Sequence, residues 1–183
     1  MKKLLATSAV LASALALSAC QSTPTKGDLP AEVQPALEAQ MQLVDISKAH
    51  LGKVYLRPVN GGVQVFGQLT GLHPGSTYAI HIHENGSCGN SGKDAGGHFN
   101  PLNKQHGNPN SLESHGGDLP NITADANGVA NMNFLRRDIS VDPQMANSVY
   151  NRSFIIHAGV DDYTSQPSGN SGDRMACGVI KAY

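Results

Sequence analysis

The sequence predicts an all-β domain, a sandwich or barrel of short antiparallel strands interrupted by two long loops. Three observations point to it. Short runs rich in Val, Ile, Tyr and Phe alternate with polar positions, the period of half-buried strands. Gly, Asn and Pro turn signals separate these runs at close intervals. No apolar stretch of helical period is long enough to build a helical core.

In chain order, the stretch 41–47 is expected to supply the first strand. Lys53-Val54-Tyr55-Leu56-Arg57 is the next, followed by Pro58 and by Asn60-Gly61-Gly62, a hairpin signal. Residues 63–69 alternate apolar with polar or glycine positions and pair back across that turn. Gly71-Leu72-His73-Pro74-Gly75 is a turn. Residues 78–83 form another strand, and later strands are expected at 122–124, 129–135, 152–157 and 176–181. Two stretches break the rhythm. Residues 84–119 and 159–175 are rich in Gly, Asn and Ser with almost no apolar pattern. Loops of such length are uncommon unless they carry function.

The start of the chain reads differently. Met1-Lys2-Lys3 is a positive segment, residues 4–17 are a short apolar run, and Leu17-Ser18-Ala19-Cys20 places small residues before a cysteine. This is the layout of a secretory signal over 1–19. Its ending resembles a bacterial lipobox, in which Cys20 becomes a lipid-modified first residue; an ordinary signal cleaved near Ala19 is the alternative. Acyl chains on Cys20 would hold the protein at a membrane without a spanning helix. Residues 20–40, with Pro24, Pro30 and Pro35, read as a tether with a short helical turn near 36–40. Residues 41–183 then form one domain. A net charge of −1 provides no basic field for nucleic acid.

The chain has three cysteines. With lipid on Cys20, Cys88 and Cys177 remain as one pair, which an oxidising compartment lets form a disulfide. The alternative is two unrelated buried thiols. A bridge closing so long a loop contributes up to about 4–5 kcal/mol in the chain-entropy view.

Six of the eight histidines and one aspartate crowd the segment 81–157: His81, His83, His98, His106, His115, Asp118 and His157. Imidazole is the commonest metal ligand, and a mononuclear site needs about four donors. Seven candidates are too many for one ion and suit two. His81 and His83 lie two apart on a strand and so share a face. His157 ends another strand. His98, His106, His115 and Asp118 come from one glycine-rich loop, as a locally folded metal clip requires. An all-imidazole group suits copper, whereas histidines with a carboxylate suit tetrahedral zinc. Four donors for each ion require one shared residue, and His98 is the natural bridge. His50 and His73 sit in early turns, outside this group.

Over roughly residues 45 to 183 the chain resembles the copper,zinc superoxide dismutases. The resemblance rests on His81-Ile82-His83-Glu84, Gly97-His98-Phe99-Asn100-Pro101, His106-Gly107, His115-Gly116-Gly117-Asp118-Leu119, His157-Ala158-Gly159 and Gly172-Asp173-Arg174-Met175-Ala176-Cys177-Gly178-Val179-Ile180, all in order. It implies an eight-stranded Greek-key β-sandwich or flattened barrel. It implies copper on His81, His83, His98 and His157, and zinc on His98, His106, His115 and Asp118. Asp161 then matches a carboxylate linking a copper histidine to a zinc histidine. Arg174 matches an arginine that holds the superoxide anion beside copper. The implied reaction is dismutation of superoxide to oxygen and hydrogen peroxide, with His98 gaining and returning a proton while zinc stays structural. A bacterial, lipid-anchored periplasmic protein guarding the cell envelope is the implied setting, and Gln21 after the cysteine resembles outer-membrane lipoproteins. A homodimer is possible on family grounds.

Some features depart from the family. The loop between His83 and His98 is shorter than in many bacterial members, and Ser168 stands where threonine is frequent. Asp162 and Asp173 are expected to make the channel rim acidic, with Lys93 and Lys104 as the lysines that offset them. Two other function classes compete. A metal-buffering lipoprotein would have no use for Arg174, and a zinc hydrolase would need a base such as Glu84, which a strand would point away from His83. Asn121-Ile122-Thr123 and Asn151-Arg152-Ser153 match a glycosylation pattern that bacterial lipoproteins rarely use.

Overall fold

A computed structural model of the chain describes residues 36–44, 47–111 and 113–183. The signal over 1–19, Cys20 and the tether up to residue 35 lie outside the described residues.

The strands are β1 (Leu37–Leu43), β2 (His50–Val59), β3 (Gly62–Leu69), β4 (Thr77–Tyr78), β5 (Ile80–His83), β6 (Ile122–Thr123), β7 (Ala130–Arg136), β8 (Ser153–His157) and β9 (Arg174–Ala182). A short 3₁₀ turn at Lys93–Ala95 lies in the first long loop. One antiparallel sheet runs β5-β8-β9-β1-β2-β3-β7, and β4 pairs with β6. Ile80, Ile82, Phe154 and Ile156 from one end of that sheet share a core with Val54, Leu56, Val65 and Met132 from the other. The ribbon therefore curls around a single apolar interior, and the all-β expectation holds.

Several expected boundaries shift: β2 opens at His50 instead of Lys53 and β9 at Arg174 instead of Ala176, and two further shifts change the architecture. The first strand begins at Leu37, not at Met41, so residues 37–40 belong to the barrel instead of the tether and form no helical turn. Leu37 alternates inward with Ala39 and Met41.

 The intervening Glu38, Gln40 and Gln42 face outward, and pairing with β2 and β9 outweighs the weak strand preference of Leu, Ala and Met. The second shift concerns residues 78–83, expected as one strand. They split at Ala79, because Tyr78 pairs with Ile122 while Ile80 pairs with Ile156. Ala79 bridges the two pairings, donating to the Gly159 carbonyl at 2.7 Å and accepting from the His157 N–H at 2.9 Å. The described residues thus hold nine strands where eight were expected.

The β2–β3 hairpin closes on Val59 and Gly62 around Asn60-Gly61, as the turn signal requires. The remaining link is covalent. Cys88 and Cys177 form the disulfide expected from the cysteine count, 89 residues apart, and it ties the first long loop to β9.

The outer side of β5 and β8 positions the site. All residues of both strands are buried, although only one side of each meets the main core. On the other side, His81 and His83 lie under the first long loop. Ile155, the partner of His81, packs there with Ala95 and Cys177 in a small second cluster.

Candidate metal centre

Strand period places His81 and His83 on the outer face of β5, while Ile80 and Ile82 point into the core. The first long loop returns twice to the same strand. Phe99 N donates to Ile82 O, Ile82 N donates to Gly117 O, and Gly117 N donates to Phe99 O, each at 2.8 Å. These bonds bring His98 opposite His83 and Asp118 opposite His81. Gly117 allows the approach, because a Cβ there would lie 2.1 Å from the Ile82 carbonyl. Phe99 and Leu119, next to these ligand candidates, anchor the loop in the core.

The first group is His81, His83, His98 and His157, with one ring nitrogen from each within 4.8 Å of the others. Three of the rings are oriented by bonds at their far nitrogen. His83 Nδ1 meets the Gly96 carbonyl at 2.9 Å, His157 Nδ1 meets the Gly172 carbonyl at 3.1 Å, and His81 Nε2 meets Asp161 Oδ2 at 2.8 Å. A carbonyl only accepts, so His83 and His157 carry their protons on Nδ1 and keep bare lone pairs on Nε2. Those two Nε2 atoms face each other at 3.4 Å. His81 Nδ1 and His98 Nε2 are buried with no hydrogen-bond partner. Burial also holds the rings neutral, with His81 pushed down to about 3, His83 to about 2 and His157 to about 4. Buried acceptors converging without a donor are costly, and a soft cation satisfies all of them together.

The second group gathers on one oxygen. Asp118 Oδ1 lies 2.8 Å from His98 Nδ1, 3.0 Å from His106 Nδ1 and 3.2 Å from His115 Nδ1. Asp118 Oδ2 accepts from the N–H groups of Gly107 and His115, each at 3.0 Å. Burial raises the Asp118 pKa, but the three imidazoles outweigh it and hold the carboxyl well below its usual range. Three nitrogens and one carboxylate oxygen are a tetrahedral zinc donor set. Donor atoms of His81 also come within 4.8 Å of this group. The second nitrogen of His81 is taken by Asp161, however, and His115 Nδ1 stands only 3.4 Å from His98 Nδ1. His115 is therefore the better fourth donor.

Asp161 stands behind both groups. Its Oδ2 faces His81 and its Oδ1 lies 2.9 Å from His106 Nε2. Burial raises its pKa, yet the bonds from His106 and His81 prevail and bring it down to about 2. Asn121 fixes its main chain in both directions, donating to Asp161 O and accepting from Asp161 N at 3.0 Å each. The Asn121 amide is thus engaged in the fold. Gly169, at φ +65°, closes over this contact, since a Cβ there would lie 1.8 Å from Asp161 Oδ1.

Arg174 opens β9 beside the first group. Its guanidinium donates to the carbonyls of Gly92, Lys93 and Gly96. It lines a cleft of about 240 Å³ together with His83, His98, His157, Pro167 and Ser168. A neighbouring cleft of about 400 Å³ contains Arg174, Lys93, Ser91 and Asp173. Lys93 and Asp173 are therefore placed near Arg174. Asp162 lines neither cleft, because its carboxylate binds Thr164, Ser165 and Asn170 within its own loop. Glu84 Oε1 accepts from the Gly97 N–H at 3.0 Å. His73 Nδ1 bonds locally to the Pro74 carbonyl and Ser76 Oγ, and exposed His50 opens β2 instead of lying in a turn.

Sequence reasoning did not single out Gln166, Gly169, Asn121 as a support, or Arg136. Arg136 is buried and donates to the carbonyls of Pro109 and His115, bracing the loop that carries the second group. A lone basic residue ending a strand gives no signal of such a role.

Comparison with known proteins agrees with this geometry. A family model described as copper/zinc superoxide dismutase (SODC) matches residues 50–180. The Cu-Zn superoxide dismutase 2 of Aquifex aeolicus is 39% identical over 149 residues, covering 79% of this chain and 87% of its own. The Cu-Zn superoxide dismutase 3 of Arabidopsis thaliana is 39% identical over 132 residues, covering 69% and 79%. A crystal structure of a doubly substituted SOD-like protein from Bacillus subtilis superposes with a TM-score of 0.73 at 35% identity, covering 79% of this chain and 97% of that one.

Proposed function

Because the chain belongs to the copper/zinc superoxide dismutase family, and is an enzyme of that kind taking copper and zinc, we propose how its own residues divide the work. Copper falls to His81 Nδ1, His83 Nε2, His98 Nε2 and His157 Nε2, and zinc to Nδ1 of His98, His106 and His115 with Asp118. The observation that carries this division is His98. Its Nδ1 lies in the carboxylate group at 2.8 Å from Asp118, while its Nε2 is buried without a partner on the other side.

Bound copper supplies one-electron chemistry, oxidising one superoxide to oxygen and reducing a second to hydrogen peroxide. The chain supplies the rest. Gly96 O and Gly172 O set the tautomers of His83 and His157, and Asp161 sets that of His81. When its Nε2 is not engaged by copper, His98 would hold a proton there and pass it to the peroxide product, with solvent supplying the second proton. Arg174, fastened by three carbonyls, presents a fixed positive charge to a small anion in the cleft. Lys93, which lines the adjoining cleft with Arg174, is the lysine that draws the anion inward and offsets Asp173. His106, His115 and Asp118 hold the loop and the bridging ring in place.

The lipobox-like Leu17-Ser18-Ala19-Cys20 supports a lipid anchor on Cys20 and a periplasmic setting, where the enzyme removes superoxide that would damage the cell envelope. The test of the reading is superoxide decay catalysed by the protein loaded with one copper and one zinc. Rapid, cyanide-sensitive, copper-dependent decay well above that of free copper is expected. Tight binding of both metals without catalysis would instead favour metal buffering.

A further inference from the structure

Gln166 precedes Pro167 in the second long loop, and its side chain crosses to the first. Its Oε1 accepts from the His106 N–H at 3.0 Å, and its Nε2 donates to the His106 carbonyl at 2.8 Å. The carboxamide thus meets both main-chain groups of one residue, as a neighbouring strand would. The imidazole of His106 is held as well, Nδ1 by Asp118 Oδ1 and Nε2 by Asp161 Oδ1. All four polar positions of His106 are therefore taken. Gly169, three residues beyond Gln166, approaches the same ring, and a Cβ there would lie 2.7 Å from His106 Nε2.

The residues between these two contacts, Pro167 and Ser168, line the cleft with His83, His98, His157 and Arg174. One short segment consequently grips His106 at both ends and forms the cleft wall in its middle. We infer that Gln166 is a positioning residue that clamps the main chain of His106 and thereby couples the zinc group to the wall of the Arg174 cleft. The inference rests on the metal division proposed above. The chemistry requires a carboxamide, because one acceptor and one donor are needed side by side. A carboxylate offers only acceptors, and a lysine or arginine only donors.

The test uses the full chain loaded with copper and with zinc or cobalt(II) in the second group, as native protein, Gln166→Ala and Gln166→Glu. Three readouts are taken: zinc release to a chromogenic chelator, the cobalt(II) visible spectrum, and azide titration of the copper band. In Gln166→Ala, zinc release is expected to be roughly tenfold faster, in line with the loss of other outer partners of metal ligands. Its cobalt spectrum and azide affinity are expected to change as well. Gln166→Glu keeps the acceptor and loses the donor, so its zinc release should fall between the two. Native-like release and spectrum in Gln166→Ala overturn the clamp, even if the melting temperature falls. Faster release with unchanged azide affinity overturns the coupling to the cleft. Should the unsubstituted chain give no tetrahedral cobalt spectrum, the metal division itself fails and takes the inference with it.

Discussion

His83 and His157 face each other Nε2 to Nε2 at 3.4 Å, each with its Nδ1 bound to a backbone carbonyl. Neither ring can turn its lone pair away without breaking the bond behind it, so the pair is arranged in advance for a cation between them.

Removing both metals with a chelator should therefore lower the melting temperature markedly. A ligand present at about a thousand times its dissociation constant stabilises by about 4 kcal/mol, and metals bound to preformed groups reach that regime. Calorimetry of loaded and stripped protein checks this; equal melting temperatures would show that the two groups bind weakly or not at all.

Arg174→Ala should retain copper and zinc while its superoxide turnover falls by a factor on the order of 10², the cost of losing one fixed donor at a reacting anion. Metal analysis and rapid kinetics on the same preparation decide it. Loss of copper from the variant would count against an anion-binding role.

Lys93→Glu should reduce the bimolecular rate at low ionic strength and flatten its dependence on salt, since an exposed charge acts through a screened field. Lys104→Glu lines neither cleft and should stay close to native. Similar rates for both variants would remove Lys93 from the steering role.

Cys177→Ser should lower the denaturant midpoint of unfolding, by at most about 4–5 kcal/mol in free energy. It should also slow turnover, because the loop it frees carries the carbonyls of Gly92 and Gly96 that hold Arg174 and His83. Full activity with reduced stability would separate the disulfide from the site.

Asp162 makes stability depend on pH without itself being a metal donor. Side-chain and main-chain bonds from Ser165, and the Thr164 N–H, hold its carboxyl below the usual range. A carboxyl with a depressed folded-state pKa stabilises fully above its unfolded value of about 4, and the contribution disappears as pH falls through the folded value. The melting-temperature advantage of metal-free native protein over Asp162→Asn should thus be constant from pH 5 to 7 and shrink below pH 4. An advantage that grows in acid would refute the assignment.

Much of this was legible in the sequence because the ligand candidates fall at periods and spacings that geometry reads directly. His81 and His83 share a face through strand period, and a single glycine-rich loop supplies four of the remaining donors. The start of β1 was hidden because Leu37, Ala39 and Met41 alternate behind polar residues just after a proline-rich stretch. The break at Ala79 was invisible for another reason. It depends on which neighbours Tyr78 and Ile80 find, and those lie more than forty residues away. Gln166 went unnoticed because its bonds are to a main chain 60 positions earlier, and a carboxamide carries no charge or period to mark it.

The covering of β5 and β8 by the first long loop has a consequence for how the protein matures. On the barrel side, these strands are cemented by hydrocarbon and require nothing from outside the chain. On the loop side, beside the small cluster of Ile155, Ala95 and Cys177, the filling is made of imidazoles and carboxylates able to hold cations. A polypeptide arriving without metals should present a finished shell under an unsettled lid. Hydrogen exchange on stripped protein would show slow amides in β2 and β3 beside fast ones in 84–119, and delivery of the ions would then set the pace at which the two faces become equally firm.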